Sequence, residues 1–223
     1  MEPHHAYLTS STFVKVRANK SLEDYMTPTT ICLFRHGETE WNIEGRYQGH
    51  MNSPLTSRGK TQARENARIL QKNPSLPSPF TVYASPLGRV KETALIMLDE
   101  LGLPLDVISY DDRLMEASFG DCEGFTEAEV AQKYPEFWEK RLTDCWNARP
   151  PFGESYADLS SRVCDWYNDV KFSGTTIVVC HAMTSRVLRG MYMDVPHQEI
   201  VNLPKPHDGF FKLCNGIVSH VTQ

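Results

Sequence analysis

The chain has 223 residues, with 23 Lys and Arg against 28 Asp and Glu, a formal net charge of −5. That balance argues against wholesale nucleic-acid binding, and no apolar run approaches the roughly twenty residues needed to cross a bilayer. The six cysteines, at 32, 122, 145, 164, 180 and 214, include no C-x-x-C pair, which points to a reduced, cytoplasmic protein rather than a disulfide scaffold.

Residues 1–27 are polar and aperiodic, with no signal-peptide core. They are expected to form a poorly ordered extension ahead of a single domain over 28–223; a metal role for His4-His5 is the weaker reading. The first apolar run, Ile31-Cys-Leu-Phe34, ends in Arg35-His36-Gly37. It reads as a buried parallel strand that delivers Arg35 and His36 into a loop at its carboxyl end, the edge of an α/β sheet where ligands bind. Trp41 to His50, punctuated by Gly45 and Gly49, reads as a long loop. Gly59-Lys60-Thr61 has the ending of a phosphate-binding P-loop, but Pro54 stands where its first glycine belongs. The segment is better read as the start of a helix over 57–71, with Ala63, Ala67 and Leu70 at helical spacing.

A Pro-rich connection, 73–79, leads to a second strand over 80–84. A helix follows in which Val90, Ala94, Met97 and Leu101 share a face, with Ser85 as its N-cap and Pro86 at its first position. Arg89 falls in its first turn, beside the same sheet edge. A third strand is expected over 105–109, then a loop carrying Glu116, then one or two helices over 126–147. The aromatics Tyr134, Phe137, Trp138 and Trp146 there are assigned to core packing. After Pro150-Pro151 a helix presents Tyr156, Leu159, Val163, Trp166 and Val170 on one face. A fourth strand, 175–180, ends at His181, and a helix from about Ala182 to Met191 turns its free amides to the same edge, a ready anion site. Asn215-Gly216 marks a hairpin between 209–214 and 217–222. The alternating order implies a three-layer α/β/α sandwich with a mostly parallel central sheet.

Gathered at one edge are Arg35, His36, Arg89, Glu116 and His181, with Asn42 and Gln48 nearby. Two guanidinium forks suit phosphate oxygens. A neutral imidazole can attack phosphorus, and a carboxylic acid can protonate a departing alkoxide. No aspartate cluster suited to Mg²⁺ falls on this edge, so cationic side chains would carry the charge stabilisation.

The segments Leu33-Phe-Arg-His-Gly-Glu-Thr-Glu-Trp-Asn42, Gly45-Arg-Tyr-Gln-Gly49, Pro54-Leu-Thr56, Ser85-Pro-Leu-Gly-Arg89, Leu114-Met-Glu116 with Phe119-Gly120 and Glu123-Gly124, Gly153-Glu-Ser155 and Val178-Val-Cys-His181 resemble, in order, those of the histidine phosphatase superfamily, phosphoglycerate-mutase-like branch. The resemblance implies a phosphomonoester hydrolase with no metal and no cofactor. His36 would be the nucleophile that forms a phosphohistidine. Arg35, Arg89 and His181 would hold the phosphoryl group, with Asn42, Gln48 and Ala182 at further phosphate-binding positions. Glu116 would be the general acid and then the base for water. Two departures stand out: Ala182 replaces the glycine usual after the second histidine, and Asn52 stands where the phosphatases often have Asp. The compact interval from Glu116 to His181 resembles the broad phosphatases more than the bisphosphoglycerate-dependent mutases, which remain the alternative. A non-catalytic binder of phosphorylated ligands is a third reading, supported by Ala182 alone. Residues 116–155 would act as a lid that sets leaving-group choice. The expected partner is a small phosphomonoester, with neither nucleic acid nor membrane; the edge hairpin could support a homodimer.

Overall fold

A computed structural model describes residues 29–73 and 80–223. The N-terminal extension expected over 1–27 and most of the Pro-rich connection lie outside the described residues. Six strands form one sheet in the order β3-β2-β4-β1-β5-β6. Strands β1 (Thr30–Arg35), β4 (Thr175–Cys180), β2 (Phe80–Ala84) and β3 (Ile108–Tyr110) run parallel, while β5 (Phe210–Cys214) and β6 (Ile217–Val221) close one side antiparallel.

Residues 31–34 of β1 and 177–180 of β4 are apolar without interruption because both faces of these strands are covered. On one face Cys32 and Phe34 of β1 and Ile177 and Val179 of β4 pack with Ala63, Ala67 and Leu70 of α2 (Ser57–Gln71) and with Val90, Ala94 and Met97 of α3 (Gly88–Leu101). On the other, Ile31, Leu33, Val178 and Cys180 meet Leu159, Val163 and Trp166 of α6 (Tyr156–Asp169) and Val187 and Leu188 of α7 (Ala182–Met193). The segment expected to form a lid contributes Phe119 and Cys122 from a 3-10 turn, Val130 from α4 (Glu127–Lys133) and Phe137 from α5 (Pro135–Thr143) to this second core. The six cysteines are all free, and none of the described helices is long and apolar enough to cross a membrane.

Several boundaries differ from the sequence reading, each for a local reason. The stretch after His36 is not all loop. Thr39 and Asn42 form a reciprocal capping box that starts α1 (Glu40–Glu44), and Gly45 ends it at φ 71°. Helix α3 begins at Gly88, so Ser85 is not its N-cap and Pro86 is not its first residue. The third strand is short. Residues Leu105–Val107 form a 3-10 turn after Pro104, with Leu105 exposed, and pairing starts only at Ile108. Helix α7 runs to Met193, and a short helix α8 (His197–Ile200) follows that hydrophobic periodicity had not signalled. The hairpin turns where expected, with Asn215 at φ 51° and Gly216 at φ 75°.

Candidate active site

The register of the sheet builds the site. Arg35 pairs with Cys180 across the β1–β4 ladder, so the next residue of each strand leaves the sheet at the same level. Those residues are His36 and His181, and their ring centroids lie 5.3 Å apart. Ala84 of β2 pairs with Val179 of β4, which brings Ser85 alongside. The Ser85 hydroxyl, freed from capping α3, meets His181 Nε2 at 2.8 Å. Both rings are buried, and Nδ1 of His181 is a buried atom with no hydrogen-bond partner among the described residues.

The chain holds His36 in one tautomer. Its Nδ1 lies 2.8 Å from the Gly37 carbonyl, and a carbonyl can only accept, so Nδ1 carries the proton and the lone pair sits on Nε2. Burial first, then the guanidinium groups of Arg89 and Arg35, hold His36 well below the usual imidazole range. His181 is pushed down likewise, by burial and then by Arg89.

Gly37 also explains the Gly59-Lys60-Thr61 sequence. A β-carbon on Gly37 would sit 2.3 Å from the Gly59 carbonyl oxygen, and one on Gly59 would sit 2.1 Å from the Glu38 carbonyl oxygen. The two glycines let the Arg-His-Gly turn close onto the first turn of α2, and the Gly37 amide is fixed by donating to the Thr93 hydroxyl.

Arg89 is 1% exposed, yet neither it nor Arg35 has an ion pair among the described residues. Arg89 donates Nη1 to the Met51 carbonyl and Nη2 to the Gly49 carbonyl, both at 2.7 Å. Arg35 donates Nη1 to the Lys205 carbonyl at 2.6 Å. The Nε of each arginine is buried and unpartnered. Burial pushes both guanidinium groups down to about 10, still fully charged at neutral pH. Two cations with bare, buried Nε donors and no ion pair among the described residues favour an anion between them.

Glu116 reaches the same place from the loop after β3. Its carboxylate accepts from the Met183 and Thr184 amides and from the Ala117 amide. The first-turn amides of α7 that had been read as a free anion site are thus occupied by a carboxylate of the chain itself. The Glu116 carbonyl is gripped in turn by Arg162 at 2.8 Å and by His50 Nε2 at 3.0 Å.

The five principal residues of the sequence reading therefore share one cleft, and each arginine feels the Glu116 charge. Asn42 and Gln48 instead bond Thr39. Asn42 Oδ1 accepts the Thr39 amide, and Gln48 Nε2 donates to the Thr39 hydroxyl. Asn52 has a defined task, since its Oδ1 accepts the Arg89 amide at 2.8 Å and so caps α3. Ala182 is the first residue of α7, beside Arg35 and Lys205 in the lining of a small cavity. Sequence reasoning missed His207. Its Nδ1 donates to the His36 carbonyl at 2.8 Å, and its ring lies 5.8 Å from that of His36. Nothing local marks it, because it follows a Pro-Lys-Pro segment that no periodicity places.

A sequence model of the histidine phosphatase superfamily (branch 1) matches residues 31–209. Human 6-phosphofructo-2-kinase/fructose-2,6-bisphosphatase 1 is 33% identical over 189 residues, which are 85% of this chain and 38% of that protein. The chain thus spans about two-fifths of that relative's length. Phosphoserine phosphatase 1 of Hydrogenobacter thermophilus is 34% identical over 161 residues, 71% of this chain and 73% of that one. Among solved structures, a putative alpha-ribazole-5'-P phosphatase from Escherichia coli superposes with a TM-score of 0.77 at 25% identity, covering 87% of this chain and 96% of the other. A mycobacterial glucosyl-3-phosphoglycerate phosphatase with VO3 gives a TM-score of 0.68 at 25% identity, covering 82% of this chain and 90% of that one.

Proposed function

Because the chain belongs to the histidine phosphatase superfamily, we propose that it hydrolyses phosphomonoesters through a covalent phosphohistidine on His36, without a metal. The observation that carries this reading is the pair of guanidinium groups, Arg89 buried and Arg35 half-buried, whose buried Nε atoms have no partner and which have no ion pair among the described residues, beside two buried imidazoles 5.3 Å apart. A phosphoryl group supplies the missing negative charge. It also accepts from the bare Nε donors.

In the first step the lone pair on His36 Nε2 forms the N–P bond as the P–O bond to the leaving group breaks. Glu116, arriving protonated, gives its proton to the departing oxygen. In the second step water attacks phosphorus and Glu116 takes the water proton. The N–P bond then breaks, restoring neutral His36 and releasing inorganic phosphate. The Gly37 carbonyl serves both steps, since it stabilises the charge that grows on the ring through Nδ1–H. Arg35 and Arg89 face the equatorial oxygens, where preorganised donors contribute most.

The test is hydrolysis of p-nitrophenyl phosphate with and without EDTA, beside the His36→Ala variant and mass-spectrometric trapping of phosphate on His36. We expect EDTA-insensitive turnover, loss of turnover on substitution, and a phosphorylated histidine at position 36. Mutase turnover with negligible hydrolysis would replace the hydrolase reading with a bisphosphoglycerate-dependent one. Failure to trap phosphate from several phosphomonoesters would favour a binding protein.

A further inference from the structure

Glu123 carries no role in the chemistry above, yet its carboxylate accepts four hydrogen bonds near the cleft. Its Oε1 accepts from the His50 amide at 2.9 Å, the Phe119 amide at 3.0 Å and the Ser118 hydroxyl at 3.3 Å; its Oε2 accepts from the Met51 amide at 2.9 Å. It has no ion pair among the described residues. The His50 amide and the Gly49 carbonyl belong to one peptide unit, and that carbonyl receives Arg89 Nη2 at 2.7 Å. The negative charge of Glu123 and the positive charge of Arg89 thus face each other across a single peptide group, whose dipole is aligned by both.

We propose that Glu123 is a positioning residue for Arg89. It fixes the 49–51 loop so that the Gly49 and Met51 carbonyls take the two Nη groups, and it supplies a countercharge through the peptide rather than by contact. A direct carboxylate would occupy the donors that an anion needs. The indirect arrangement anchors the guanidinium and leaves its Nε bare. Gly49 makes this arrangement sterically accessible. It sits at φ 51°, and a β-carbon there would lie 2.0 Å from Glu123 Oε1. The same carboxylate ties down Ser118 and Phe119, close in sequence to Glu116, so one side chain sets the spacing between the phosphate-binding arginine and the carboxyl opposite it.

This proposal rests on the assignment of Arg89 to the phosphoryl site, and its test separates the two. The Glu123→Gln variant keeps the shape but removes the charge and turns an amide donor toward one of the loop amides. Binding of inorganic phosphate and of orthovanadate would be measured by titration calorimetry for wild type, E123Q, R89Q and the double variant, beside p-nitrophenyl phosphate kinetics and melting temperatures. We expect E123Q to weaken phosphate at least fivefold and vanadate more, to lower kcat by tenfold or more, and to shift melting by only a few degrees. In the R89Q background the same change should cost less than twofold, because its effect runs through Arg89. E123Q binding both anions as wild type does, or equal losses in the two backgrounds, would overturn the proposal. So would a wild type that binds neither anion. A wild type that binds phosphate but hydrolyses nothing would instead remove the hydrolase reading and leave the role of Glu123 decided by the binding data.

Discussion

Acid should destabilise this protein steeply above the range in which carboxylates protonate. His36 and His181 are buried and held well below 6.5, and His207 is pushed down to about 4, in each case by burial first. An unfolded chain takes up protons at these positions near 6.5, whereas the fold refuses them. The stability is fully present above that value and is lost as pH falls toward the folded-state values. For His207 the loss runs from 6.5 to about 4. Each histidine that stays neutral in the fold adds about 1.4 kcal/mol per pH unit to the slope. His207, with its folded-state value of about 4, gives about 1 kcal/mol between pH 6 and pH 5, and His36 and His181 add to it in the same direction. Urea unfolding at pH 7, 6 and 5 in a buffer without phosphate measures this slope, and His36→Ala should reduce it. Saturating phosphate should flatten it, since an anion between the rings favours their protonated forms. It should also raise stability by about 2.7 kcal/mol at a hundredfold excess over Kd. An unfolding free energy that is level from pH 7 to pH 5 would refute the burial of neutral rings.

Three further outcomes are expected. Glu116→Gln keeps acceptors for the α7 amides but cannot deliver a proton, so alkyl phosphates should lose about 10²–10⁴-fold in kcat, and p-nitrophenyl phosphate, whose leaving group needs little protonation, should lose far less; equal losses on both would show that Glu116 only shapes the site. Gly37→Ala drives a methyl group into the Gly59 carbonyl, costing about 1–3 kcal/mol in urea unfolding and displacing the Arg35-His36 turn enough to lower kcat. Ala182→Gly should leave p-nitrophenyl phosphate turnover equal or higher, at a stability cost of at most about 1 kcal/mol at the first helical position; a large loss of turnover would mean that the methyl group has a task in the cleft.

The strands were legible because both sheet faces are covered, which leaves unbroken apolar runs at 31–34 and 177–180. Helices α2, α3 and α6 were legible from their buried stripes. What failed was local punctuation. Ser85-Pro86 has the composition of a helix start, but the Ser85 hydroxyl is used on His181, so the helix waits until Gly88. Thr39 and Asn42 look like loop residues until their mutual hydrogen bonds make a cap. Leu105 and Val107 are apolar yet unpaired, because the chain reaches the sheet edge only at Ile108.

The site divides along the same line. Motifs identify which groups could meet a phosphate: Arg35 ends β1, His36 and His181 directly follow β1 and β4, and Arg89 and Glu116 lie in the segments after β2 and β3. A motif does not say where each hydrogen bond is used, and that depends on residues far away in sequence. The amides of α7 were read as an anion site and are one, but the anion is Glu116, 67 positions upstream of Met183. The carboxylate is held by the Met183, Thr184 and Ala117 amides, and its charge acts on both Arg35 and Arg89, so the side chain that fills the helix end also stands across from the two phosphate-binding arginines. If Glu116→Ala left turnover of alkyl phosphates unchanged, the carboxyl would only fill the helix end, and the cleft would work by another route.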